Sequence, residues 1–217
     1  MHENYYTSYT MKIGIFRILF LFILYFQSSP TFSEQKLFAP NYTLLGFGGI
    51  FVNSDLAPIS FNLDFKYRPS YIYGLGLNRK LNYTYSVFEF ELEGMVASHT
   101  GAMSHSEAVG VGIARIPNLF GKPISFAVGE GQSVASQNPK LENFAFGYDR
   151  GKINLDDVES RAWLNYLMFE ADYKLPWAES SKFFVRIHHR SGIYGVYCPP
   201  SPPCGSNFVV YGFKTEI

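Results

Sequence analysis

Alternation of apolar and polar residues along 61–77 is the clearest pattern in the chain. From Phe61 to Leu77, every second position except Pro69 carries a large apolar or aromatic side chain, and the positions between are mostly polar or glycine. Period-two alternation is the signature of a strand with one apolar face. We therefore predict a strand over 61–77, with Pro69 at a bulge or at the edge of a membrane.

Seven further segments have strand character, which brings the predicted total to eight. They are 42–53, 83–97, 106–115, 123–134, 161–175, 182–194 and 206–217. Short connectors near 78–82, 116–122 and 176–181 alternate with longer ones at 54–60, 98–105, 135–160 and 195–205. Outer-membrane barrels have short periplasmic turns and longer extracellular loops. The pattern predicts an all-β fold, an eight-stranded antiparallel transmembrane β-barrel of the outer-membrane type, with its C-terminus in the periplasm.

Composition and charge agree with this fold. The chain holds 21 Phe and 16 Tyr, and aromatic residues make up 18% of it. Membrane barrels use such rings on the outer wall and in the interfacial girdles, whereas a soluble lipocalin-like barrel would have to hide them from water. A formal net charge of zero gives no long-range field that would attract nucleic acid. We predict a membrane partner and no nucleic-acid partner.

The first 33 residues have the features of a signal peptide. Lys12 and Arg17 precede an apolar run at 18–26, and small polar residues follow near 29–33. The run is shorter than the roughly 20 residues of a spanning helix, although the position of Arg17 leaves an uncleaved anchor as the alternative. We predict a signal peptide at 1–33 and a barrel domain at 34–217. Since Met11 directly precedes the basic region, residues 1–10 are predicted to be a spurious extension from an upstream start.

The final strand supports a bacterial outer-membrane location. It alternates through Val209, Tyr211, Phe213, Thr215 and Ile217. An apolar, alternating last strand resembles the terminal signal that the barrel-assembly machinery reads, with isoleucine in place of the usual terminal aromatic residue. This machinery is the partner predicted for biogenesis, and the sequence leaves open whether two chains then form a homodimer.

Candidate chemistry lies in the predicted strand 182–194. At period two, His189 and Ser191 share a face with Val185 and Ile187, and the cationic residues take the other face. The apolar members assign the first face to lipid, near the outer edge of the membrane. Polar groups facing hydrocarbon cost free energy, and an adjacent base and hydroxyl nucleophile offer a functional reason to accept that cost.

This His-x-Ser pair in the penultimate strand of a small barrel resembles the outer-membrane lipid A 3-O-deacylases. The resemblance implies an esterase that removes an ester-linked acyl chain from lipid A or a related outer-leaflet lipid, with His189 as general base, Ser191 as nucleophile and no cofactor. Two departures stand out: Gly192 occupies the place of the family's Asn, and the family's acid would fall near Pro203. The alternative is a non-enzymatic small barrel for adhesion or envelope integrity.

Antiparallel pairing suggests substitutes on one side of the pair. A tight turn at 176–181 places Asn165 beside Ser191 and Leu167 beside His189. Asn165 shares the outward parity of its strand. An asparagine amide can stabilise an oxyanion, so Asn165 is a candidate member of the site.

The other side of the pair offers two further candidates. Pairing through the 195–205 connector brings Tyr211 near His189 and sets Asn207 diagonal to Ser191. An Asn can orient a catalytic His, which makes Asn207 a candidate. Glu130 is the reserve candidate for the missing acid, because it has outward parity, although it lies two strands from His189.

Charged residues of inward parity predict a packed ion-pair network in the lumen, since side chains fill the interior of an eight-stranded barrel. A proton path or a small pore is the alternative. The residues are Glu89, Glu91, Glu93, Arg186, His188 and Arg190.

Two further groups of residues have side chains that can bind a metal ion or form a disulfide. His99, His105 and Glu107, with Glu130 and Glu142, could bind a divalent cation together with lipid phosphates. Their spacing matches no standard motif, so solvated loop histidines and no metal are predicted. The only cysteines, Cys198 and Cys204, lie close together in a proline-rich segment and predict a disulfide in an oxidising compartment, with two free thiols as the alternative.

Overall fold

The structure is a computed structural model, and it describes residues 42–142, 160–193, 196–198 and 204–217 of the 217-residue chain. These residues belong to one compact unit, Gln35–Ile217. The predicted signal peptide and its 1–10 extension lie outside the described residues. Within the described part of the chain, no helix has the length and apolar character that crossing a bilayer requires.

Eight antiparallel strands form a closed barrel in sequence order, and the first strand pairs with the last. The strands are β1 (Tyr42–Val52), β2 (Tyr67–Tyr85), β3 (Phe88–Gly101), β4 (His105–Ile116), β5 (Ile124–Ala135), β6 (Trp163–Lys174), β7 (Ser181–Ser191) and β8 (Gly205–Glu216). A seven-residue helix, α1 (Leu56–Asn62), lies between β1 and β2, and 3₁₀ turns occur at Leu119–Gly121 and Lys140–Glu142. The predicted eight-stranded barrel of the outer-membrane type is confirmed.

The two faces of the strands differ in the way a bilayer barrel requires. On β2, Ser70 and Ile72 are buried, whereas Tyr71 between them and Tyr73 beyond them are exposed. The same alternation runs around the barrel. The exposed outward residues include Leu44, Tyr71, Leu77, Leu92, Val96, Ile124, Phe126, Val128, Trp163, Tyr173, Tyr211 and Phe213.

The predicted strand 61–77 is wrong over its first six residues. Helix α1 ends at Asn62, and Leu63 turns the chain in the left-handed region at φ 54°. Ile59 and Phe65 pack against the barrel wall, so their apolar character reflects docking of a folded connector. The sequence pattern cannot distinguish this docking from a strand, because Phe61, Leu63 and Phe65 keep period-two spacing although only Phe65 packs against the wall.

The connection between β2 and β3 also differs from the short connector predicted near 78–82. Strand β2 continues to Tyr85, and the turn is Ser86–Val87, with Ser86 at φ 56°. Asn78 donates to the Glu91 carboxylate at 2.9 Å, and Lys80 pairs with Glu89 at 2.7 Å. The polar run that suggested a turn therefore supplies partners for the charges of β3.

Connection lengths differ between the two ends of the barrel, with one exception. The predicted long connector 98–105 is wrong, because only residues 102–104 separate β3 from β4. The connections 53–66, 136–162 and 192–204 lie at the same end as 102–104, whereas 86–87, 117–123 and 175–180 lie at the other. The periplasmic placement of the second end stays a prediction.

A packed ion-pair network fills the lumen near the second end. Arg186 contacts Glu93 at 2.6 Å and Glu170 at 2.7 Å, and Lys214 contacts Glu170 at 2.7 Å. All four side chains are buried. Because each ion meets oppositely charged partners at hydrogen-bond distance, desolvation of the charges is offset.

Arg115 extends this network to the neighbouring strands. Its guanidinium contacts Glu91 at 2.6 Å and Glu170 at 2.8 Å, and it also pairs with Asp172. The predicted packed ion-pair network of Glu91, Glu93 and Arg186 is therefore confirmed.

Replacing Arg186 with Leu is expected to lower the free energy of unfolding by about 3–5 kcal/mol, because two buried carboxylates lose their shared partner. Urea unfolding of the barrel in lipid vesicles measures this change. Lys66→Ala is the control: its pair with Asp64 at 3.4 Å leaves both side chains largely exposed, so the loss should stay below about 1 kcal/mol. Equal losses in the two variants would contradict the role given to Arg186.

Candidate active site on the outer wall

The side chains of β7 alternate between the lumen and the outer wall, as the sequence predicted. Arg186, His188 and Arg190 point into the lumen and are fully buried, whereas His189 and Ser191 lie on the outward face and are half-buried. Same-face residues two apart in a strand are about 7 Å apart along the backbone. The candidate base and nucleophile are therefore neighbours on the outer wall, at the end of the barrel with the long connections.

The pairing of β7 with β6 follows the predicted register. Asn165 stands directly opposite Ser191, and Leu167 stands opposite His189. Asn165 has outward parity and is only 6% exposed. The amide of Asn165 is thus positioned in the row of Ser191.

The pairing of β7 with β8 corrects one prediction. Tyr211 lies opposite Val185 rather than near His189, and Asn207 lies directly opposite His189 while remaining diagonal to Ser191. The register differs because β8 already begins at Gly205, opposite Ser191.

A chain of hydrogen bonds holds the ring of His189. Its Nδ1 lies 2.7 Å from Asn207 Oδ1, and Asn207 Nδ2 donates to the backbone carbonyl of Ser54 at 2.8 Å. Because the carbonyl can only accept, this second bond fixes the amide orientation and turns Oδ1 toward the imidazole. The imidazole then donates from Nδ1, which leaves Nε2 with the lone pair of a general base.

The acidic residue Asp55 directly follows Ser54, the last member of this series of hydrogen bonds, and the sequence did not predict it near His189. Its exposed carboxylate interacts electrostatically with His189, and it makes no side-chain hydrogen bond to cap α1. Closure of the barrel explains the proximity, because Val52 of β1 pairs with Asn207 of β8. Nothing in the sequence pattern signals this contact, since residues 55 and 189 are joined only by that closure.

Ser191 and His189 are not hydrogen-bonded to each other among the described residues. Ser191 Oγ instead accepts a hydrogen bond from the backbone N–H of Ile193 at 3.2 Å. Rotation about the Cα–Cβ bond of Ser191 is needed to bring its hydroxyl toward the ring. Catalytic hydrogen bonds are often long or misaligned without substrate, so this arrangement is compatible with a resting site.

Helix α1 covers the wall beside His189. The sequence had predicted a connector at 54–60 and no helix. Its central residue Ile59 is fully buried, whereas Phe61 and Leu63 at its end are 80% and 70% exposed. The buried side of α1 belongs to an apolar cluster on the outward faces of three strands. Its members are Val52, Ile59, Phe65, Val185, Ile187 and Val209.

The connector between β7 and β8 borders the other side of the site. Cys198 and Cys204 form the predicted disulfide, with their Cα atoms 6.1 Å apart. Tyr197 donates from its hydroxyl to the Gln132 side chain at 2.9 Å, and Gln132 pairs with Asn165 across β5 and β6. Tyr197 thus hydrogen-bonds to the residue that lies opposite Asn165.

The disulfide leaves little room for a side chain at Gly192. A Cβ atom at this position would meet Cys198 Cβ and Cys204 Sγ at 3.0 Å each. The disulfide packs against the backbone directly after Ser191, so a side chain there would displace it.

Glu130 does not reach His189. It is exposed on the outward face of β5 and pairs with Leu167, which in turn pairs with His189. Neighbouring strands are about 4.8 Å apart, so Glu130 stands about 10 Å from His189 with Leu167 between them. The reserve role given to Glu130 as orienting acid is not supported by this placement.

A depression of about 830 Å³ lies on the wall formed by β1 to β5, away from β7. Tyr73, Leu75 and Val96 contribute to its apolar lining. Neither His189 nor Ser191 borders it. The candidate chemistry therefore does not coincide with this depression.

The histidines predicted to be solvated loop residues are instead buried in the lumen. His99 and His105 belong to β3 and β4 and are 1% and 7% exposed. The expectation is wrong because the connection between these strands has only three residues, so both side chains keep the inward parity of their strands. Together with Glu107 they could hold a metal ion.

No protein-family model matches the chain, and no curated protein matches it. Among solved structures, the barrel is similar to the crystal structure of the outer membrane enzyme PagL, at 14% sequence identity and a TM-score of 0.47. The match covers 81% of this chain and 99% of that chain. The fold assignment given above rests on the strand pairing of the chain itself.

Glu142 lies at the barrel end that carries the candidate site. Its carboxylate is buried, 3.0 Å from Arg190 Nε, and accepts from Ser206 Oγ at 2.9 Å. Burial raises the pKa of Glu142 from 4.5 to about 7, although Arg190 and Ser206 act in the opposite direction. The folded chain thus binds a proton more tightly than the unfolded chain, so the stability contributed by Glu142 is full below pH 4.5 and is lost as the pH rises toward 7.

Glu142→Gln is therefore expected to stabilise the barrel relative to the wild type more at pH 8 than at pH 4. The pKa difference corresponds to roughly 3 kcal/mol, at about 1.4 kcal/mol per pKa unit. Urea unfolding of both proteins across this pH range gives the comparison, and the common titration of other groups cancels in the difference. A difference that does not change with pH would contradict the raised pKa.

Proposed function

We propose that this protein is a bacterial outer-membrane esterase that removes an ester-linked acyl chain from lipid A or a related outer-leaflet lipid. One observation carries the proposal: His189 and Ser191 share the outward face of β7, and Asn207 Oδ1 lies 2.7 Å from His189 Nδ1. An oriented imidazole beside a hydroxyl is the minimal apparatus of nucleophilic acyl transfer. Its position on the outer wall suits a substrate that approaches from within the membrane.

The reaction would proceed in two steps. Ser191 Oγ attacks the ester carbonyl while His189 Nε2 takes the hydroxyl proton and returns it to the departing sugar oxygen. Water then attacks the acyl-serine with the same histidine as base, which releases a fatty acid and restores Ser191. The amide of Asn165, opposite Ser191, is placed to donate to the oxyanion of the tetrahedral intermediates.

Asn207 would take the role that an acid has in the family this pair resembles. A neutral amide can hold the histidine in the required tautomer, as in Cys-His-Asn enzymes. Asp55 would add a negative charge that favours the imidazolium formed during attack. Asn207 of β8 would then position the imidazole, and Asp55 of the connection between β1 and β2 would supply the negative charge.

Helix α1 would help to receive the lipid. Phe61 and Leu63 are exposed apolar residues beside the site, and side chains of this kind gain free energy when they enter a lipid layer. An acyl chain would then approach the pair over the apolar side chains of α1 and of the outer wall.

Ser191→Ala and His189→Ala are each expected to abolish fatty-acid release from lipid A, because each removes a reacting group. Mass spectrometry of lipid A from cells that express each variant measures the release. The matched control is Ser106→Ala, which removes an exposed outward serine on β4. A retained heat-modifiable gel shift shows that each variant folds.

Unchanged release in either variant would eliminate the assigned roles. If the wild-type protein alters no outer-leaflet lipid, the non-enzymatic barrel for adhesion or envelope integrity replaces the esterase. Phospholipid added beside lipid A in the purified assay identifies which lipid class is cleaved.

Asn207→Ala is expected to lower kcat by about 10²-fold with little change in KM, because it frees the imidazole without removing a substrate contact. Asn207→Asp should retain activity, since a carboxylate also accepts from Nδ1. The control Asn118→Gly lies in a turn at the opposite barrel end, where the φ of 49° suits glycine. Wild-type kcat in Asn207→Ala would remove Asn207 from the site.

A further inference from the structure

Three metal-binding side chains converge inside the barrel, separate from the outer-wall site. His99 and His105 are direct cross-strand partners of β3 and β4, and Glu107 is the next inward residue on β4. Their candidate ligand atoms all lie within 4.8 Å of one another. The three side chains are 1%, 7% and 2% exposed, respectively, so the group is enclosed by protein.

The imidazoles carry nitrogens without a protein partner. His99 Nδ1 and both ring nitrogens of His105 are buried and make no hydrogen bond to the described residues. The two rings stack with their centroids 4.0 Å apart. Buried polar atoms without partners cost free energy, and three such nitrogens in one cluster indicate a group beyond the described residues that satisfies them.

Glu107 is held from several sides. It contacts His99 Nε2 at 2.7 Å and His188 Nε2 at 3.0 Å, and it accepts from Ser133 Oγ at 2.5 Å. His99 Nε2 and the Glu107 carboxylate oxygen therefore already lie side by side, as two ligands of one ion must.

The charge balance also favours a cation. Arg190, the nearby arginine, pairs with Glu142 at 3.0 Å, whereas the hydrogen bonds of Glu107 within the described part of the chain go to two imidazoles and a hydroxyl. A buried carboxylate of this kind is stabilised by a positive ion.

We infer that His99, His105 and Glu107 bind one divalent transition-metal ion of the Zn²⁺ class within the lumen. Two imidazoles and a carboxylate suit zinc, whereas Mg²⁺ and Ca²⁺ require more oxygen ligands. Ligands at 2.0–2.1 Å from one ion are at most about 4.2 Å apart, so the cluster need contract by less than an ångström. The ion joins β3 to β4 beside their three-residue connection.

Zinc titration of the full barrel, refolded in detergent after treatment with a chelator, tests the inference. Competition with a fluorescent zinc chelator should give roughly one tightly bound ion per chain, with no competition from excess Mg²⁺ or Ca²⁺. His105→Phe keeps an aromatic ring in the stack and should lose this binding. His189→Ala is the matched control, because it removes an outward histidine and should bind zinc as the wild type does.

Binding that persists unchanged in His105→Phe, or no stoichiometric binding by the wild type, would overturn the site. If His105→Phe fails to fold, the X-ray absorption spectrum of the zinc-loaded wild type decides: two imidazoles at 2.0–2.1 Å support the site, and an all-oxygen or sulfur shell refutes it. The result of this test does not depend on the proposed esterase activity, since neither zinc binding nor the absorption spectrum involves lipid.

Discussion

Closure of the sheet is the constraint on which the remaining structure depends. A closed barrel leaves each side chain only two directions, because successive residues of a strand point to opposite faces. Charged residues that face inward must then neutralise one another, as Arg186 does with Glu93 and Glu170. The pairing of β1 with β8 also carries Ser54 and Asp55 to the neighbourhood of His189.

Two connectors convert an exposed polar pair into a partly sheltered site. Helix α1 packs its buried side on the outer wall, and its preceding residue Ser54 fixes the amide of Asn207. On the other side, the disulfide packs on Gly192, and Tyr197 reaches Gln132. The polar groups on the lipid-facing wall are thus hydrogen-bonded to protein, which lowers the cost of placing them there.

Two different groups of polar side chains fill the two ends of the lumen. Near the end with short turns, arginine and lysine pair with the carboxylates of neighbouring strands. Near the other end, Glu107 is surrounded by imidazoles, and three nitrogens of His99 and His105 have no hydrogen-bond partner among the described residues. In the first arrangement the counter-charges come from the chain itself, whereas the second is completed by an added cation under our inference.

The sequence by itself determined the number of strands, the faces of β7 and the pairing of Asn165 with Ser191, because side-chain parity and a tight turn are local properties. It could not show that 56–62 folds as a helix against the wall or that His99 and His105 lie inside, since both depend on packing and on the length of a connection. Only the tertiary structure decided that Asn207 faces His189 and that the connector of Ser54 and Asp55 reaches Asn207. Both placements require the start of β8 and the closure of the barrel, which no local pattern encodes.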